Sequence, residues 1–133
     1  MSLQRPLSPH LQIYRPQITS VLSIMHRITG LLLCLGAVLL VAWVATTAVG
    51  PQYHASFLRL ADSILGRLML LGLLFSLLFH LCNGVRHLIW DMGHGFDLST
   101  TTISGWTVVL ISVLGTAYAA LGLFGPALSG GTP

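Results

Sequence analysis

Three long apolar runs dominate the hydrophobic pattern of this chain. The first, residues 28–49, carries no charge, and the third, residues 104–124, carries neither a charge nor a histidine. The second, residues 62–90, is almost pure hydrocarbon from Leu68 to Phe79, and polar residues appear in its last three turns. About 20 apolar residues are enough for a helix to cross the hydrocarbon core of a bilayer. The pattern therefore predicts an all-α integral membrane protein with three transmembrane helices, at about residues 20–49, 62–90 and 104–124.

The segments around these helices are more polar and contain turn-forming residues. Residues 1–17 contain three prolines and show no helical period, so we expect an arm on the inner membrane surface. Residues 51–63 are expected to form a short connection whose aromatic rings suit the headgroup level. The predicted three-helix domain covers residues 18–128, and the glycine-rich residues 129–133 are predicted to be a disordered tail.

Composition supports a membrane location and suggests an orientation. Hydrophobic residues make up 54% of the chain and charged residues only 7%, whereas about a quarter of a soluble domain is charged. The net charge of +3 is too small and too scattered to indicate a nucleic-acid partner. With the N-terminus inside, the inner side carries more arginines than the outer side, namely Arg5, Arg15, Arg27 and Arg86 against Arg59 and Arg67. This bias favours an N-terminus in the cytoplasm, or in the matrix of a mitochondrion.

The second predicted helix contains a histidine deep in the membrane. His80 precedes His87 by seven residues, which places it roughly 10 Å deeper in the hydrocarbon. Positions 80, 83, 84 and 87 share one helical face. A neutral imidazole at that depth needs a partner, so His80 is a candidate haem ligand, with a proton relay as the alternative. Gly84, one turn away, would let a flat macrocycle lie close to the helix.

The first predicted helix carries a matching polar stripe near the inner surface. Ser23, His26, Arg27 and Gly30 follow the spacing i, i+3, i+4, i+7 and therefore share one face. Histidine and arginine can hold carboxylates such as haem propionates, and a serine hydroxyl can bond to a quinone carbonyl. Alternatively, these side chains simply reach the lipid headgroups, as arginines near an interface often do.

The number of suitable haem ligands indicates a second chain. An electron-transfer haem b typically has two axial ligands, one on each face. His87 lies on the same helix as His80 and cannot reach the opposite face, and His26 lies nearer to the membrane surface. Because helical bundles build cofactor sites between helices, the second ligand is predicted to come from another subunit.

Two motifs, in order and at this spacing, resemble a known family. RPLSPHLQIYRPQITSVLSIMHRITG contains a Ser-x-x-His-Arg-x-x-Gly core, and HLCNGVRHLIWDMG fits His-x-x-x-Gly-x-Arg-His-x-x-x-Asp-x-Gly. Over nearly its whole length the chain resembles the cytochrome b556 membrane-anchor subunits of succinate dehydrogenase. The resemblance implies three helices that form half of a haem-binding bundle, whose other half is a second anchor subunit.

The resemblance also implies roles for individual residues. His80 matches the axial ligand of the haem b iron, and the partner anchor subunit would supply the other ligand. His26 and Arg27 match residues around the haem propionates, while Gly84 and His87 would lie near the haem. Ser23 and Arg27 match residues that line the ubiquinone pocket beside the iron–sulfur subunit. Asp91 is a candidate ion-pair partner of Arg27 or a candidate member of a proton path.

The implied function is a division of labour between subunits. A flavoprotein subunit oxidises succinate, electrons pass along iron–sulfur clusters to ubiquinone, and this chain anchors those subunits without contributing a catalytic group. The inner membrane of a bacterium is the expected location, and a mitochondrial inner membrane is the alternative. Three other interpretations stay open: the anchor of a menaquinol:fumarate reductase, a small proton-conducting transport bundle that uses His80 and Asp91, and a purely structural assembly subunit.

Overall fold

The computed structural model of the chain describes residues 15–128, and every regular element in this part is an α-helix. Three of its four helices are long and apolar enough to cross a membrane, which confirms the prediction of an all-α protein with three candidate spans. The predicted tail, and all but the last three residues of the predicted arm, lie outside the described residues. The helices are α1 (Ile18–Val49), α2 (Pro51–Asp62), α3 (Ile64–Asp91) and α4 (Leu98–Leu128).

The short connection predicted after the first span is itself helical, because residues 51–62 form the helix α2. Gly50, with φ of 148°, breaks the chain direction after α1. Pro51 then occupies the start of α2, where its missing N–H costs nothing. The Ser63 hydroxyl accepts a hydrogen bond from the Gly66 N–H at 3.1 Å and so caps α3. The short helix α2 is amphipathic, as expected of a helix that lies along a membrane interface.

The last helix is longer than predicted at both ends. It begins at Leu98 rather than near residue 104, and it continues to Leu128 rather than ending near residue 124. Its first turns are rich in hydroxyl residues, which resembled a loop in the sequence. The Thr102 hydroxyl donates to the Leu98 carbonyl at 2.8 Å, so this polar group is satisfied within the helix. The remaining turn before α4 contains Gly93 and Gly95, both in the left-handed region.

The helix α3 lies between α1 and α4, and the interior that the three helices enclose is narrow and partly polar. Its buried apolar side chains are Leu22, Phe79 and Val108. The buried polar side chains are Thr29, Ser76, Asn83, Arg86 and Ser112. The serine hydroxyls bond to carbonyls of their own helices at 2.8 and 2.7 Å. Small residues that satisfy themselves in this way let transmembrane helices approach closely.

An arginine ties together the end of the bundle that carries α2. The Arg67 guanidinium forms an ion pair with Asp62 at 2.6 Å, the one ion pair among residues 15–128. It also donates to the Leu123 carbonyl at 2.8 Å and lies over the Phe124 ring. Arg67 thus connects the corner between α2 and α3 to the end of α4.

The corner between α2 and α3 yields a testable prediction. A Cβ atom added at Gly66 would lie 2.5 Å from the Ala61 carbonyl oxygen and would also overlap the Leu60 carbonyl oxygen. Because backbone atoms cannot move aside cheaply, Gly66→Ala should destabilise this corner by about 1–3 kcal/mol. The thermal denaturation midpoint of the purified membrane complex measures this. Gly72→Ala is the matched control, since a Cβ atom there meets nothing within 4 Å. Equal midpoints for the two variants would contradict the prediction.

Candidate functional site

The imidazole of His80 is held by the backbone and a hydroxyl of α1. Its Nδ1 lies 3.1 Å from the His26 carbonyl oxygen and 3.3 Å from the Thr29 hydroxyl oxygen. A carbonyl oxygen only accepts, so the proton of a neutral His80 ring resides on Nδ1. Nε2 then carries the lone pair, and it forms no hydrogen bond to the described residues. This is the protonation state in which a histidine can ligate a metal through Nε2.

A second histidine lies flat against this ring. The His26 and His80 rings stack with centroids 3.8 Å apart and an interplanar angle of 8°. A bond from Nε2 to a metal would lie in the plane of the His80 ring. The stacked ring lies beside that plane and leaves the ligand direction open. His26 Nδ1 is buried and has no hydrogen-bond partner in the described part of the chain.

Two glycines border the stacked rings, and the approach to Gly30 is the closer one. A Cβ atom on Gly30 would lie 3.0 Å from Cε1 of His80, and one on Gly84 would lie 3.8 Å from Cε1 of His26. Each glycine therefore lies on one helix opposite the histidine of the other. We expected the space beside Gly84 to be open to a macrocycle, whereas here the His26 ring borders it.

The third histidine of the predicted stripes lies close to the same pair. The His87 ring is 5.3 Å from the His26 ring and meets the Trp90 ring edge-on at 5.3 Å. The structure thus brings His26, His80 and His87 together. We predicted that His26 lies nearer to the membrane surface than His80, but the stacked rings place the two side chains at the same level. Among residues 15–128, no group of three or more His, Cys, Asp or Glu could hold a metal ion.

The two remaining predicted site residues lie on the same stretch of α1 but outside the histidine cluster. Ser23 is half-buried, and Arg27 is exposed. Arg27 forms no hydrogen bond or ion pair with the described residues. The candidate ion pair between Arg27 and Asp91 does not form, and Asp91 is exposed at the end of α3.

Sequence reasoning missed the structural position of Arg86. The sequence placed Arg86 only among the arginines of the inner side, but its side chain is buried, with 5% exposed. Its Nε donates to the Ser104 hydroxyl at 3.0 Å and its Nη2 to the Thr101 carbonyl at 3.0 Å. The guanidinium also lies 3.9 Å from the centre of the Trp90 ring. Arg86 thus joins α3 to α4 and belongs to the packing of the bundle. The one sequence signal for this is the set of hydroxyl residues at the start of α4.

Known proteins match the chain over most of its length. A family described as succinate dehydrogenase/fumarate reductase transmembrane subunit matches residues 1–119. A succinate dehydrogenase cytochrome b556 subunit of Rickettsia prowazekii (strain Madrid E) is 44% identical over 111 residues, which cover 84% of this chain and 86% of the relative. The subunit of the same name in Paracoccus denitrificans is 38% identical, covering 83% of this chain and 85% of the relative.

The similarity extends to mitochondrial proteins. A mitochondrial succinate dehydrogenase cytochrome b560 subunit of Sus scrofa is 39% identical over 115 residues, covering 83% of this chain and 66% of the relative. The family match covers the three candidate spans almost completely. The chain therefore belongs to the family of transmembrane subunits of succinate dehydrogenase and fumarate reductase, and its relatives place it among the cytochrome b membrane-anchor subunits of succinate dehydrogenase.

Proposed function

We propose that this chain binds haem b together with a second anchor subunit and forms part of the ubiquinone-reduction site of succinate dehydrogenase. The observation that carries the proposal is His80, a half-buried histidine of α3 whose Nδ1–H is held by the His26 carbonyl and whose Nε2 is left for a metal. The relatives are named cytochrome b subunits, and that name denotes a b-type haem. Bound at this place, haem b supplies a one-electron centre.

The proposed haem site needs a ligand from outside this chain. His26 lies parallel to His80 at 3.8 Å, so it would stand beside His80 and would not supply a second ligand from the other side of a bound haem. His87 lies two turns further along the same helix, where it contacts His26 and Trp90. The second axial ligand is therefore assigned to the partner anchor subunit, as in bundles whose cofactors lie between facing helices.

The haem propionates are assigned to His26 and Arg27. The buried His26 Nδ1 has no partner in the described part of the chain, and a buried polar atom of this kind normally has one. The guanidinium of Arg27 is likewise available to a carboxylate, with which it forms a strong charge-assisted bond. Gly84 and His87 border the same cluster and are proposed to lie in the vicinity of the haem.

The quinone site is assigned to the half-buried Ser23 and the exposed Arg27, which lie about one turn apart on α1. The serine hydroxyl can donate to a quinone carbonyl, and the arginine can stabilise the negative charge that develops on the oxygens during reduction. The iron–sulfur subunit would cover this site and deliver electrons, and the flavoprotein subunit would oxidise succinate. The N-terminus then faces the cytoplasm of a bacterium, which the arginine distribution supports.

A spectrum of the purified complex tests the haem assignment. Reduced-minus-oxidised absorption should show one b-type haem in a preparation that also contains the iron–sulfur and flavoprotein subunits. A small proton-conducting bundle would show no chromophore and no such partners. A preparation with the partner subunits but without a b-type signal would overturn the haem assignment while leaving the anchor function in place.

Arg27→Ala tests the quinone assignment. Loss of one group that stabilises developing negative charge typically costs about 10²–10³-fold in rate, so succinate:ubiquinone activity should fall at least about tenfold. Succinate oxidation with an artificial acceptor should persist, because that reaction occurs on other subunits. Arg59→Ala is the control, since Arg59 is an exposed arginine whose one side-chain bond is to Ser56. If both activities of Arg27→Ala fell together, the quinone assignment would be wrong.

A further inference from the structure

We propose that Thr29 and Gly30 are positioning residues for His80, which fix its protonation state and ring orientation and thereby set the reduction potential of the haem. This inference rests on the proposed haem function and adds residues to it. Both residues lie on α1, next to the backbone carbonyl that His80 contacts, and neither would touch the haem. They act through the Nδ1 edge and the Cε1 edge of one imidazole.

The bonding of Thr29 leaves its lone pairs directed at His80. Thr29 is 1% exposed, and its hydroxyl oxygen lies 2.9 Å from the carbonyl oxygens of both Met25 and His26. Both are acceptors, so the hydroxyl proton is directed to the backbone of α1. The 3.3 Å contact with His80 Nδ1 then requires the hydroxyl oxygen to accept and the imidazole to donate. Thr29 and the His26 carbonyl therefore favour the same protonation state of His80.

Gly30 sets how closely the imidazole approaches α1. A Cβ atom at this position would lie 3.0 Å from His80 Cε1 and 3.5 Å from Nδ1. With any larger residue the ring would have to shift away from α1 by a few tenths of an ångström. That shift would lengthen the 3.1 Å bond from Nδ1 to the His26 carbonyl. Because residue 30 is a glycine, His80 Nδ1 can approach the His26 carbonyl closely enough to form this hydrogen bond. Thr29 favours the same protonation state of His80.

These contacts act on the strength of the ligand. A hydrogen bond donated by the second ring nitrogen makes a ligating histidine more basic and fixes its orientation. A more basic ligand favours the ferric state and lowers the reduction potential. Weakening either contact should therefore raise the potential, and the two residues should act in the same direction.

Redox titration of the purified complex, followed by haem absorption, tests the role of Thr29. We expect Thr29→Val to retain haem with a more positive midpoint potential, and Thr29→Ser to restore the wild-type value because it restores the hydroxyl. Thr116→Val is the matched control, since the Thr116 hydroxyl also bonds to a carbonyl one turn earlier, at 2.7 Å, and no histidine contact accompanies it. An unchanged potential in Thr29→Val, or a shift of equal size in Thr116→Val, would overturn the proposal for Thr29.

Gly30→Ala tests the same idea without changing a polar group. We expect a positive shift of the midpoint potential and a lower haem content per complex, whereas Gly72→Ala on α3 should leave both unchanged, because a Cβ atom there meets nothing within 4 Å. Unchanged potential and haem content in Gly30→Ala would overturn the role of Gly30. Wild-type complex without haem would instead refute the proposed function itself, so the two failures are distinguishable.

Discussion

Replacing His80 with alanine should abolish the b-type absorption of the complex while succinate oxidation by an artificial acceptor continues. The variant removes the one side chain of the cluster whose Nε2 is open and whose Nδ1–H is held by the His26 carbonyl. His26 is unsuited to replace it, because its ring lies flat against the position that the His80 ring would vacate. Reduced-minus-oxidised spectra of membranes and of purified complex measure the effect.

A second histidine provides the control for this experiment. His54 lies on α2 and contacts the Thr46 hydroxyl at 3.1 Å, far along the chain from the cluster. His54→Ala should keep the full haem signal. A normal signal in His80→Ala would show that this residue is not the ligand, and loss of the signal in both variants would indicate a general assembly defect.

Replacing Arg86 with leucine should destabilise the bundle by about 2–4 kcal/mol. Interhelical hydrogen bonds in membranes contribute about 0.6 kcal/mol on average and up to about 1.7, and a desolvated cation–π contact contributes about 2. Arg86 forms bonds of both kinds, to Ser104, to the Thr101 carbonyl and to the Trp90 ring. A lower thermal denaturation midpoint and reduced yield of assembled complex would report this loss.

A lysine variant distinguishes hydrogen bonding by the Arg86 guanidinium from a requirement for positive charge alone. Lysine cannot reproduce the fork that bonds to two groups at once, so Arg86→Lys should be destabilised nearly as much. Arg59→Ala should have little effect, because that arginine is exposed and bonds only to Ser56 within its own helix. If Arg86→Lys were as stable as the wild type, charge rather than hydrogen-bond geometry would explain the position.

The three candidate spans and the polar faces of the first two were predictable from local rules, whereas the stacking of His26 on His80 was not. Apolar runs of sufficient length become transmembrane helices because no other structure satisfies the backbone in hydrocarbon. The periodicity of 3.6 residues then puts Ser23, His26 and Arg27 on adjacent turns of one helix, and His80 and His87 on one face of another. The rules fail where a helix is polar. The helix α2 and the first turns of α4 resemble loops in composition, yet their hydroxyls bond to their own backbone, as Thr102 does.

The sequence alone determines the depth of His80 in the membrane, because depth depends only on the rise per residue of a helix. It also shows that His80 lies among apolar residues, where burying an imidazole costs free energy. The ring nitrogen that carries the proton does not follow from it, since the acceptors of Nδ1–H belong to another helix, 54 and 51 residues away in the chain. The same holds for the burial of Arg86, because its hydrogen-bond partners Ser104 and Thr101 lie on α4. Sequence therefore identified the histidine, and the packing of α1 against α3 decided which of its nitrogens is free to bind.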